Sequence, residues 1–221
     1  MKKILFLLSA GAIMMVSCQT APDADKAATG DAKEATNTAG NAFIVDTTQS
    51  TIGWIGTKVG GQHNGTFSVS DGSLIVSDGS ISGGNFTINM ASVNVLDLTD
   101  DNKPKLEGHL KSPDFFAVEE FPTAKFEITE VKAFDSTTMA SKLAGATHFI
   151  SGNLTMRGTT KNISFPAIVT IEGNAVSAKA DFNIDRSEWG VNFKGPNNPA
   201  DWVIAKEVNL QLDVKATSGA L

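Results

Sequence analysis

Val208-Asn209-Leu210-Gln211-Leu212-Asp213-Val214 alternates without a break, with Val208, Leu210, Leu212 and Val214 in one parity and the polar residues in the other. A two-residue period marks a strand that turns one face to a core and the other to water. The same signature runs upstream through the chain. It carries Phe182 and Ile184 in 175–184, Ile163 and Phe165 in 162–171, and Ile150, Leu154 and Met156 in 148–156. It also carries Phe126 and Ile128 in 124–134, Phe86, Ile88 and Met90 in 80–90, and Phe67 and Val69 in 62–69. Thr51-Ile52-Gly53-Trp54-Ile55-Gly56-Thr57 is rich in β-formers, and Gly60-Gly61 ends it. Asp71-Gly72 and Asp78-Gly79 read as hairpin turns around the short run 73–77. Ile81 has the opposite parity to Phe86, and Gly83-Gly84 between them predicts a bulge that resets the alternation and bends the strand.

One stretch lacks this pattern. Residues 98–110 are polar and do not alternate, and the i, i+4 pair Leu106 and Leu110 predicts a short helix. Pro113 and Pro122 then bracket an irregular apolar crossing, Asp114-Phe115-Phe116-Ala117-Val118. About eight strands with short turns and one helical excursion define an all-β fold, closing most simply into an extended antiparallel barrel. Strands of about ten residues exceed the usual five or six and favour that barrel over a two-sheet sandwich.

Ahead of the strands lies a different composition. Met1, Lys2 and Lys3 form a cationic start, residues 4–16 an apolar run, and Met15-Val16-Ser17-Cys18 closes it. The run is too short to span a bilayer, which takes about 20 apolar residues. Residues 1–17 therefore read as a signal peptide whose end resembles a lipobox, with Cys18 as the lipidated residue. Cys18 is the only cysteine, so no disulfide can form within the chain. Gln19 follows it, which favours an outer-membrane address facing the periplasm over retention at the inner membrane. Residues 18–41 lack any large apolar side chain and read as a flexible tether. Residues 42–221 then form one domain.

A net charge of −6 and the lack of a basic cluster argue against nucleic acid as a partner. His63, His109 and His148 lie far apart without ligand-like spacing, and each reads as a hydrogen-bonding residue rather than a metal ligand. There is no nucleophile elbow or phosphate-cradling loop, so neither a cofactor nor catalysis is expected. Asp185, Arg186 and Glu188 read as structural ion-pair partners at a strand end.

Three motifs in order resemble the YceI-like polyisoprenoid-binding proteins. They are the segment from His109-Leu110-Lys111-Ser112-Pro113-Asp114-Phe115-Phe116 to Ala124-Lys125-Phe126, then Gly152-Asn153-Leu154-Thr155-Met156-Arg157-Gly158, then Asp185-Arg186-Ser187-Glu188-Trp189-Gly190. His63, Gly65 and Phe67 look like that family's early motif. Phe121 stands where the family often has tyrosine, and many members carry a plain signal peptide in place of a lipobox. The resemblance implies an extended lipocalin-like antiparallel barrel enclosing a long isoprenoid, or a similar amphiphile such as a fatty-acyl lipid, in an apolar tunnel; the lipobox adds contact with the membrane through the anchor, and the sequence is compatible with a homodimer.

On that reading Trp54, Phe67, Phe86, Ile88, Phe126, Ile150, Leu154, Met156, Phe165 and Phe182 line the tunnel; by periodicity alone the same residues could fill a solid core. Thirteen Phe and three Trp with no Tyr suit either interior. Arg157 and Lys161 flank the Gly158-Thr159-Thr160 turn, where they could meet a ligand head group or simply be solvated. Three functions remain open at this point: lipid binding, an envelope stress or interaction lipoprotein with a solid barrel, and an enzyme acting on lipid.

Overall fold

A computed structural model describes residues 20–35, 39–195 and 203–218; the signal segment and Cys18 lie outside the described residues. The strands are β1 (Asp25–Lys26), β2 (Ala28–Asp31), β3 (Asn41–Val45), β4 (Thr51–Lys58), β5 (Gly61–Ser77) and β6 (Ser80–Val95). Helix α1 (Asn102–Lys111) follows, then β7 (Thr123–Ala133), β8 (His148–Met156), β9 (Thr159–Glu172), β10 (Ala175–Asp185) and, after a 3-10 turn at Arg186–Trp189, β11 (Ile204–Thr217). Strands β4 to β11 pair in sequence and β11 closes back onto β4, giving an eight-stranded antiparallel barrel. β3 continues the line of β4 at one end, between β11 and β5.

The parity of each strand sets what fills the barrel. Phe67, Phe86, Phe126, Phe165 and Phe182 are all buried, as are Ile52, Leu74, Ile150 and Val214. Asp78 and Gly79 both have positive φ, 51° and 75°, and make the tight β5–β6 hairpin. Asp71-Gly72, expected as a second turn, instead lies inside the 17-residue β5. There the register slips between Val69 and Asp71, and a Cβ on Gly72 would stand 2.6 Å from the carbonyl oxygen of Asn85. The glycine therefore serves a close crossing of two strands rather than a reversal. The expected bulge near Gly83-Gly84 is present as a shift between Ile75 and Val76 of β5, opposite Gly83 and Ile81.

The upper end of the barrel is covered. Helix α1 packs on the end of β6, where Glu107 accepts from the Val95 N–H and Lys103 donates to Asn94; its Leu110 is buried and Leu106 partly buried, and the crossing after it buries Phe115, Ala117 and Val118.

The segment expected to be a flexible tether is ordered along the barrel wall over residues 20–35. β9 and β10 pair only between 168–172 and 175–179, and farther up they part. Into that seam goes the N-terminal segment, with β1 parallel to β10 and β2 antiparallel to β9. Ala27 between them is 4% exposed, and its N–H donates to the Asn183 carbonyl at 2.9 Å. Ser141 and the backbone of Lys142 hold the Asp25 carboxylate at 2.8 and 2.9 Å. Small residues suit a narrow seam because their main chain satisfies two strand edges that would otherwise be open. Order here comes from backbone pairing, which an apolar pattern does not report.

Candidate functional site

The upper half of the barrel holds a cavity of about 130 Å³. Ile52 and Trp54 of β4, Phe67 of β5, Ile88 and Met90 of β6, and Leu154 and Met156 of β8 form part of its wall. β11 contributes Val208 and Leu210, and Leu110, Phe115 and Phe116 close it from above. The surface it presents is apolar throughout. Phe116 is tied to the wall by an edge-on contact with Phe67, the ring centres 5.5 Å apart.

Of the ten tunnel residues expected from sequence, Trp54, Phe67, Ile88, Leu154 and Met156 line this cavity. Phe86, Ile150, Phe126, Phe165 and Phe182 sit deeper, around two small voids. Met90 shares the parity of Phe86 and Ile88 and could have been included on that ground. Phe115 and Phe116 carried no periodic signal, because they come from an irregular crossing whose position depends on tertiary packing.

Arg186 anchors the rim. Its side chain borders the cavity while the residue is 5% exposed. Nε donates to the Ala205 carbonyl at 3.0 Å, Nη1 to Val191 at 2.6 Å, and Nη2 to Phe193 and Ile204 at 3.0 and 3.2 Å. Burial pulls its pKa below the ordinary arginine value, and the Asp185 charge works against that pull. Asp185 itself caps the 3-10 turn through Ser187 and pairs with Lys206 at 3.1 Å. Burial raises its carboxyl pKa, but the hydrogen bonds from Ser187 and Lys206 outweigh it and the net direction is down. The expected ion pairing is thus redistributed: Arg186 holds carbonyls, Asp185 takes Lys206, and Glu188 lies 3.9 Å from Lys161. Gly190 ends the turn in the left-handed region at φ 72°, a conformation glycine adopts without steric cost, and Trp189 beneath donates to the Leu154 carbonyl at 2.9 Å.

The two candidate head-group cations do not converge. Arg157 donates to the carbonyls of Pro113 and Phe115, fastening the apolar crossing to the β8–β9 turn. Lys161 is shared between Asp31, at 3.6 Å, and Glu188.

The histidines are likewise dispersed. His63 Nδ1 lies 2.8 Å from Asp97, His109 Nε2 is 2.9 Å from Asp114, and His148 Nδ1 is 2.8 Å from the Thr147 hydroxyl. Burial lowers the His148 pKa. Burial raises that of Asp97, but the Asn64 N–H and His63 more than offset it, so the carboxyl lies below its usual range. Among the described residues no three His, Cys, Asp or Glu side chains cluster as metal ligands.

A closed antiparallel barrel with an apolar cavity under a helical cover is a lipocalin-like architecture. The YceI-like domain matches residues 43–216, and the chain belongs to that family. A UPF0312 protein of Pseudomonas paraeruginosa is 40% identical over 88 residues, which is 40% of this chain and 38% of that one. One from Serratia proteamaculans is 38% identical over 90 residues, 41% of this chain and 38% of the relative. The chain thus aligns with well under half the length of these relatives.

Among solved structures, BcnA of Burkholderia cenocepacia superposes with a TM-score of 0.60 at 20% identity, covering 78% of this chain and 99% of that one. A polyisoprenoid binding domain from Saccharophagus degradans, implicated in plant cell wall breakdown, gives 0.57 at 16% identity over 81% and 99%. At such identities the likeness speaks for the fold.

Proposed function

We propose that this protein stores or carries an amphiphilic lipid, holding the hydrocarbon end of a prenyl or fatty-acyl chain in the upper cavity while the polar head stays outside. The observation that carries this reading is the cavity with its wholly apolar wall, placed under α1 and the crossing that follows it. Transfer of hydrocarbon from water is worth about 25 cal/mol per Å², so burying a few hundred Å² of chain yields several kcal/mol before association costs. The wall exposes no polar atom to a head group, and burying one there would be unfavourable by about 1 to 3 kcal/mol or more. The wall also offers no acid, base or nucleophile, which suits binding rather than turnover. The polyisoprenoid-binding domain among the structural neighbours agrees with a prenyl ligand.

Native mass spectrometry of the protein from its own host, followed by organic extraction, tests the reading. One prenyl or acyl lipid per chain is expected. A chain that is always empty, and stays empty when prenyl lipid is supplied, would contradict it.

In the same reading the protein is an envelope lipoprotein held at the outer membrane through Cys18. Residues 20–35 lie on the barrel wall, so the anchor would keep the barrel close to the membrane rather than on a long leash. A Cys18→Ala variant is expected to lose incorporation of a fatty-acid probe in metabolic labelling. Equal labelling of variant and wild type would remove the anchor.

A further inference from the structure

Below the cavity the interior narrows abruptly. The space falls from about 130 Å³ to two voids of about 30 Å³ each, one beneath Ile88 and Leu154 and the other lower still. What fills the difference is a ladder of rings. Phe86 and Phe126 have centres 5.4 Å apart, Phe126 and Phe165 5.7 Å, and Phe165 stacks on Phe182 at 4.0 Å with planes 10° apart. Four strands supply these rings, and Ile52, Leu210 and Leu212 meet them from the remaining wall.

The ladder is held in place. β8 lies between β7 and β9, and it carries Gly152, paired with Ile128 and Ile163 and diagonal to Phe126 and Phe165. A Cβ at Gly152 would stand 2.3 Å from Phe126 Cζ, so the ring occupies the space a side chain would take. Phe126 is thus seated against β8 backbone and flanked by rings on both sides. Moving it aside would require moving its neighbours.

We infer that this phenylalanine ladder is the floor of the lipid site and limits the enclosed part of the ligand to a short prenyl chain. The inference rests on the reading that the upper cavity binds lipid. A dry cavity of about 150 Å³ holds one six-carbon ring, so the space above the ladder encloses on the order of one to two isoprene units. Further units lie beyond the cavity and gain little from burial. Phe126, with Gly152 behind it, therefore determines chain-length specificity, and the selected class is a C5 to C10 chain end, whatever length of chain follows outside.

A series of prenyl alcohols tests this: prenol, geraniol, farnesol and geranylgeraniol, titrated calorimetrically into wild type and Phe126→Ala. In wild type the affinity is expected to rise at least tenfold from prenol to geraniol and then to stay within about twofold out to geranylgeraniol. In Phe126→Ala, checked by a thermal melt, the rise is expected to continue to farnesol. Affinity that climbs through geranylgeraniol in wild type would overturn the floor. So would a folded Phe126→Ala protein whose rise still stops at geraniol. The wild-type series decides the question by itself if the variant does not fold. Absence of binding at every length would instead remove the lipid site, and the floor with it.

Discussion

Arg186→Met is expected to lower the stability of the barrel by about 3 kcal/mol, read as a fall in the urea midpoint at unchanged slope. Methionine keeps the apolar stem that borders the cavity but removes every donor. The carbonyls of Val191, Phe193, Ile204 and Ala205 then lose the group that gathers them. Each buried acceptor left unpaired costs about 1 to 3 kcal/mol, and water entering at the rim recovers part of the sum. Arg186→Lys is expected to fall between the two, because an ammonium has three donors on a point and cannot reproduce a planar fork aimed at four separate carbonyls. A loss below about 0.5 kcal/mol for Arg186→Met would show that the rim is held by its apolar contacts alone.

The barrel was largely legible in the sequence because most of its strands carry their large apolar residues on one face only. Alternation at Phe182-Ile184 and Val208 to Val214 reported both the strand and its inward side, and Asp78-Gly79 reported the hairpin through the positive φ that it demands. Asp71-Gly72 misled because a close strand crossing and a tight turn both call for glycine. The N-terminal segment was misread for a different reason. Its order depends on a seam between β9 and β10 that exists only once the barrel has formed, and its Ala, Thr and Gly side chains give no hint of it.

The site was legible only by face. Parity shows that Phe126 and Leu154 point inward together, yet it cannot say that one lies at the floor and the other in the wall of a cavity. The two are cross-strand partners, and what separates them is how each side chain is seated: the Phe126 ring lies over Gly152, whereas Leu154 also borders the upper cavity. The expected Gly158-Thr159-Thr160 turn is shorter, formed by Arg157 and Gly158 with Lys161 already inside β9, and the carbonyl and carboxylate partners of the two cations come from segments tens of residues away.

Met156→Trp is expected to abolish lipid binding while leaving the fold intact. Met156 projects from the end of β8 onto the cavity and is 9% exposed, so a larger side chain there would grow into existing space. In a well-packed interior the same change would cost about 1 to 3 kcal/mol. Here the added ring fills a cavity of about 130 Å³, and the apolar contacts it makes offset any local strain. Binding is expected to weaken at least tenfold, because the ring takes up the space that the hydrocarbon would occupy.

The most direct measurement is a titration of a fluorescent prenyl probe into wild type and Met156→Trp, with a thermal melt of each protein alongside. A cavity that binds lipid predicts saturable one-to-one binding to wild type, its loss in Met156→Trp, and melting temperatures within a few degrees of each other. Equal binding by both proteins, together with a collapsed melting temperature for Met156→Trp, would mean that the upper barrel is solid core and that the lipid site lies elsewhere.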